Sequence, residues 1–238
     1  MLALASPAGA TAASASSATG GTAPPPAEPE QDVAPAPSGP MSVNAPRSAF
    51  VRERVRVRGT SRRARGKVVQ IEARRTGGRW TSLARVRAGR TGRFAALWRP
   101  RSTGTYELRA RIGRGDASNN TNGGTAVPVE VGADGAGASS YLTVYRPAIA
   151  TWYGPGFFGR RTACGIVLAE TTLGVAHRTL PCGTQVQLTF AGRTITAPVI
   201  DRGPFANGAD WDLTQASAQQ LGMTGTNRIG ALPLAPKR

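Results

Sequence analysis

Beyond Ala148 the chain carries few groups that can do chemistry. The carboxylates there are Glu170, Asp201, Asp210 and Asp212; the only histidine of the chain, His177, and both cysteines, Cys164 and Cys182, lie in the same region. A carboxyl group that moves protons has to be partly withdrawn from water, which favours its neutral form, and has to face a groove. Asp201 is placed for both. It closes the apolar run Ala197-Pro-Val-Ile, and the Arg202-Gly-Pro turn that follows can present it. Such an acid suits glycosidic cleavage, in which a carboxyl protonates the leaving oxygen while the sugar cation is stabilised or trapped. The alternative for Asp201 is a structural aspartate that binds turn amides. Flat aromatic faces stack on sugar rings, so Trp152, Tyr153 and Trp211 are candidate substrate contacts; a core-filling tryptophan is the competing reading. Arg202 joins them as a candidate substrate contact. Asp212 is assigned to the start of a helix.

One histidine and no Cys-x-x-Cys argue against a zinc site. No metal or other cofactor is expected. Two cysteines without metal partners predict one disulfide, Cys164–Cys182, and an oxidising, exported setting; the alternative is two buried free thiols.

The elements that would position these groups are strands. Val186, Leu188 and Phe190 alternate, Gly192 turns the chain, and Ile195–Ile200 run back toward Asp201. A short helix is predicted over Asp212–Met223, capped by Thr214 and ended by Gly222. Upstream, strict alternation begins at Ser48. Val51, Glu53, Val55 and Val57 oppose Arg52, Arg54, Arg56 and Arg58, and the same period runs through 69–74 and 106–112. Further strands are predicted at 79–87, 93–98, 126–131 and 140–145, with polar or Gly/Ala-rich breaks at 113–125 and 132–139. Seven or so short strands predict an immunoglobulin-like β-sandwich over 47–146, with Trp80 and Trp98 in its core and the arginines in an outward row. Residues 1–46, rich in Ala, Pro, Ser and Gly, read as a disordered leader or linker.

The charge is uneven. Of the 30 Lys/Arg and 13 Asp/Glu, residues 47–116 hold 21 and four, and 21 − 4 = +17 is the whole net charge of the chain. A positive field confined to one module implies an anionic partner for it, such as an anionic wall polymer or an acidic membrane surface. The arginine content also fits a GC-rich genome. Nucleic acid is not the expected partner, because the module lacks aromatic interleaving, a helix-turn-helix and a finger pattern.

Four landmarks occur in order. They are Ala150-Thr-Trp-Tyr-Gly through Thr162-Ala-Cys-Gly, Leu173-Gly-Val-Ala-His-Arg-Thr-Leu-Pro-Cys-Gly-Thr, Val199-Ile-Asp-Arg-Gly-Pro-Phe, and Asp212-Leu-Thr-Gln-Ala-Ser-Ala-Gln-Gln-Leu-Gly-Met. Over residues 148–234 this order resembles the rare lipoprotein A (RlpA) family of double-psi β-barrels, and more distantly expansins and barwin-like proteins. The resemblance implies that 147–238 form a six-stranded barrel with a helix on its side, so that the chain is all-β. It implies a lytic transglycosylase, a lyase acting on peptidoglycan glycan strands. Asp201 would be acid and then base on the sugar's own C6 hydroxyl, and His177 would orient Asp201 or the sugar. One departure stands out: where many such domains carry an acid after the Thr-Ala-x-Gly step, this chain has Ile166, Val167, Leu168 and Ala169, with Glu170 the nearest acid. The alternative is therefore a non-catalytic, expansin-like wall binder. Either reading implies a secreted or wall-associated protein. Met1-Leu-Ala-Leu-Ala with Ala8-Gly9-Ala10 is only a partial signal-peptide pattern, and no stretch reaches the ~20 apolar residues of a membrane helix.

Overall fold

The computed structural model describes residues 41–113, 139–205 and 208–235, all within one compact unit, Pro37–Arg238. The strand expected at 126–131 lies outside the described residues. So do the breaks at 113–125 and 132–139, apart from Gly113 and Ser139.

Two sheets face each other in the first half. One is β1 (Ser42–Asn44), β3 (Val55–Thr60) and β6 (Arg93–Trp98), in the order β1-β3-β6. The other runs β5 (Thr81–Arg87), β4 (Val68–Arg75), β7 (Gly104–Ile112), β8 (Ser140–Tyr153), with β2 (Ser48–Phe50) parallel to β8. Period two supplies the core: Val55, Val57 and Phe94 from one sheet meet Val69, Ile71, Leu108, Leu142 and Val144 from the other. The result is an immunoglobulin-like sandwich. Its first strand, with Val43 buried and Met41 buried just before it, starts inside the stretch read as leader.

Three local expectations change. The alternation at Val51–Arg54 is not strand: the chain turns there, with Glu53 N–H donating to Phe50 O at 3.1 Å and Arg52 at φ 67°. Trp98 packs on the core beside Tyr106, but Trp80 does not. Trp80 lies over the polar face of the β4–β7 pair, with the guanidinium carbons of Arg109 and Arg74 at 3.8 and 4.6 Å from its ring centre. Cation–π attraction explains that placement. Those two arginines are also not free. Arg109 and Arg74 sit directly across the ladder from Glu72 and Glu107 and pair with them at 2.7 and 2.6 Å.

β8 is one strand of 14 residues, not the six expected, and its second half enters the barrel. The barrel adds β9 (Val175–Ala176), β10 (Gln185–Phe190), β11 (Arg193–Asp201), β12 (Trp211–Thr214) and β13 (Asn227–Pro233). Its order is β12-β9-β11-β10-β13-β8, and a parallel β12–β8 pairing closes it into six strands. Val175, Val186, Leu188, Val199, Leu213 and Ile229 fill the interior. The helix α1 spans Gln215–Leu221, shorter than expected because Trp211–Thr214 pairs as strand with both β8 and β9. Its caps are as expected. Thr214 Oγ1 accepts from Ser217 N–H, and Gly222 closes the helix at φ 80°, a conformation that glycine adopts without steric cost. No helix among the described residues is long and apolar enough to cross a membrane.

Candidate functional site

The end of β11 delivers Asp201, which pairs with Ala176 of β9 just past a register shift between Val199 and Asp201. Its side chain is half-buried. Asp201 Oδ1 accepts the main-chain amides of Ala163, at 2.9 Å, and Arg202, at 2.8 Å. Both structural and chemical readings of Asp201 therefore meet here: the turn amides fix one oxygen, and no hydrogen bond engages the other among the described residues.

Ala163 is held in place by its neighbour. Cys164 is bonded to Cys182, with Cα atoms 5.7 Å apart, and Cys164 N–H donates to Ile200 O at 3.2 Å. The disulfide thus pins the 162–165 turn against the end of β11. Arg202 reaches the same corner, its guanidinium 3.2 Å from Cys182 Sγ and 3.3 Å from His177 O.

Asp212 is not at a helix start. It sits in β12, level with Thr151 of β8, whose hydroxyl donates to Asp212 Oδ1 at 2.8 Å. Burial raises its proton affinity, the nearby charge of Asp201 adds to that, and the Thr151 bond opposes it. Asp212, Thr151, Trp152, Arg202 and Phe205 line a cleft of about 470 Å3. Asp201, next to Arg202 in the chain, is not itself a lining residue.

Tyr153 follows Trp152 on β8. Its hydroxyl is buried and has no hydrogen-bond partner among the described residues. Burial, together with the negative charges of Asp201 and Asp212, pushes its pKa well above the usual tyrosine range, so the phenol stays protonated. Sequence reasoning placed Tyr153 as a sugar platform; here it is a proton-bearing group beside two carboxylates. Trp152 does line the cleft. Trp211 does not: it is 5% exposed and belongs to the barrel core, because residues at odd positions of β12 point inward.

His177 packs on that core tryptophan at a ring-centre distance of 4.4 Å. Its Nδ1 accepts from Thr179 N–H at 3.2 Å and Leu180 N–H at 3.0 Å. An accepting Nδ1 leaves the proton on Nε2 in the neutral ring. Burial lowers the His177 pKa, and the charges of Arg178 and Arg202 lower it further. Its link to Asp201 is through the main chain, His177 N–H to Asp201 O at 3.2 Å.

The other acids have different tasks. Asp210 Oδ2 accepts Ile149 N–H at 2.8 Å and pins β12 to β8. Glu170 is exposed and does not line the cleft. Ile166 and Val167 are exposed at 44% and 51%, so apolar surface stands where an acid was looked for. Among the described residues, no three His, Cys, Asp or Glu side chains gather as a metal site would need. Thr151 and Asp212 as a pair were missed from the sequence. The usable signal was the Trp-Asp-Leu-Thr alternation, which fits a strand as well as a helix start.

Residues 147–234 match the family model described as "Lytic transglycolase". Over 88 residues the chain is 42% identical to the "Probable endolytic peptidoglycan transglycosylase RlpA" of Synechocystis sp., a stretch covering 36% of this chain and 27% of that one. Over 95 residues it is 41% identical to the protein of the same name from Aquifex aeolicus, covering 39% and 41%. The chain thus spans between about a quarter and two fifths of the length of these relatives. Among solved structures it matches the Streptomyces papain inhibitor at 26% identity and a TM-score of 0.29, covering 35% of this chain and 88% of that one. With a closed six-stranded barrel and this run of relatives, residues 147–234 belong to the RlpA-like double-psi β-barrel family.

Proposed function

We propose that the barrel cleaves peptidoglycan glycan strands by lytic transglycosylation, with Asp201 as acid and base. The observation that carries this is a cleft lined by Asp212, Trp152 and Arg202, with Asp201 next to Arg202 in the chain and the buried Tyr153 hydroxyl within the field of both carboxylates. In the proposed reaction Asp201 gives its proton to the glycosidic oxygen as the C1–O bond breaks. It then takes the proton of the sugar's C6 hydroxyl as that oxygen bonds to C1. No water is consumed, and the product is an anhydro-sugar. Main-chain amides hold Asp201 without blocking its second oxygen, Trp152 offers a stacking face, and neutral His177 stiffens the turn below. Acting on the wall places the protein outside the cytoplasm, where the Cys164–Cys182 disulfide is also stable. Incubation with purified sacculi should release muropeptides carrying the anhydro mass; hydrolysed ends alone would reject lytic chemistry.

A second reading is favoured by the exposed Ile166 and Val167. A wall-binding module without turnover would retain the cleft but not need an acid at that rim. Binding to sacculi without any soluble product would select it.

A further inference from the structure

We propose that Arg52, Arg99 and Arg101 form a binding site for the phosphate groups of an anionic cell-wall polymer. The three guanidinium-bearing side chains line one cavity of about 410 Å3 at the end of the sandwich. This is separate from the outward row on β3 and from the barrel cleft. No ion pair among the described residues involves any of them; those present are Arg74–Glu107 and Arg109–Glu72. Glu53, the one acid in the adjoining turn, accepts the Phe50 amide at 2.7 Å.

The backbone, not a carboxylate, brings these cations together. Arg52 adopts φ 67°, a left-handed conformation that costs energy for a residue with a Cβ and persists where surrounding bonds impose it. Arg52 N–H donates at 2.7 Å to the carbonyl of Pro100, the buried residue between Arg99 and Arg101. The strained turn is thus bonded to the segment that supplies the other two arginines. Three like charges gathered with no ion-pair partner among the described residues repel, and an oxyanion relieves that repulsion. Guanidinium forks match phosphate oxygens two at a time.

The source of the phosphate follows from place and lining. Among the described residues no aromatic ring lines the cavity, so they offer no platform for base stacking and nucleic acid is disfavoured. The turn is tied to β8 where that strand heads into the barrel: Phe50 pairs with Tyr145, and Val51 N–H donates to Tyr145 O at 2.9 Å. A polymer attached to the glycan that the barrel acts on can reach this end. Only this choice of source rests on the function proposed for the barrel.

Calorimetric titration of the full chain with inorganic pyrophosphate at low salt tests the site. Single-site, saturable binding is expected, weakened by about tenfold or more in R52Q/R99Q/R101Q. The charge-matched variant R56Q/R58Q/R93Q should lose no more than about twofold. Equal losses in the two variants, or no saturation in the wild type, overturn the site. The source is tested on sacculi before and after acid removal of phosphodiester polymers. Wild-type retention should drop on stripping, and the R52Q/R99Q/R101Q variant should show no such drop. Undiminished retention on stripped sacculi, or tighter binding to duplex DNA than to the polymer, overturns the assignment. Anhydro-product release is scored separately on stripped sacculi, so a failed site and a failed function are distinguishable.

Discussion

Asp201 and Asp212 share a corner of the barrel but not an environment. Asp201 is fixed by two main-chain amides, whereas Asp212 receives one hydroxyl and is held partly out of water. Because the folded pKa of Asp212 lies above its ordinary 3.8, its contribution to stability is full below 3.8 and is lost as pH rises through the raised value. Asp212→Asn removes that loss. The unfolding free energy of the variant relative to wild type should therefore rise between pH 3.8 and neutrality; a flat or falling difference would contradict the burial argument. His177 runs the other way. Its lowered pKa makes its contribution full above the ordinary 6.5 and lost as pH falls through the depressed value. As the only histidine, it gives one set of imidazole resonances, and their midpoint should fall below 6.5. A midpoint at or above 6.5 would mean that the ring is not shielded as described.

At the scale of elements, a small polar knot ties the helix to the strand that leads to His177. Ser217 Oγ donates to Gly174 O at 3.0 Å while accepting from Gly174 N–H at 2.9 Å and from the Thr214 hydroxyl at 3.0 Å. A Cβ on Gly174 would come within 2.4 Å of Ile200 Cδ1, so any other residue there requires the Ile200 side chain to shift. Ser217→Ala leaves buried groups unpaired and should cost about 1–3 kcal/mol in denaturant unfolding; an unchanged midpoint would show that the knot is not needed. The disulfide closes a sequence separation of 18 and holds Ala163 against Asp201. Its removal in a Cys164→Ser/Cys182→Ser variant should cost about 3 kcal/mol in the chain-entropy model. An unfolding free energy unchanged by that double substitution would contradict it. These elements were unevenly legible. Strands with one wet face, such as β7 and β10, showed in the sequence because alternation reports burial directly. Trp80 did not, since size and hydrophobicity argue for a core and only the cross-strand Arg–Glu pairs explain its place outside. Asp212 was misplaced because strand β12 runs straight into the helix, with Thr214 the last residue of one and the cap of the other. The length of β8 was hidden because one strand serves both the sandwich and the barrel.

Across the whole molecule, that strand is what joins the parts: residues of β8 pair with β7 on the sandwich side and with β13 and β12 on the barrel side. Tyr145, where it crosses, donates its hydroxyl to Gln187 of β10 at 3.0 Å. The basic module, continuous with the barrel, should bind its polymer through exposed charge, so retention on anionic wall material should fall steeply with added salt. Retention that ignores salt would leave the arginines as a composition effect. The central claim is the role of Asp201. Asp201→Asn keeps the shape and the two amide contacts while removing the transferable proton. Anhydro-muropeptide release from sacculi should fall about a hundredfold or more, with the variant still folded and still retained on the wall. Wild-type rates of release from Asp201→Asn would contradict the account.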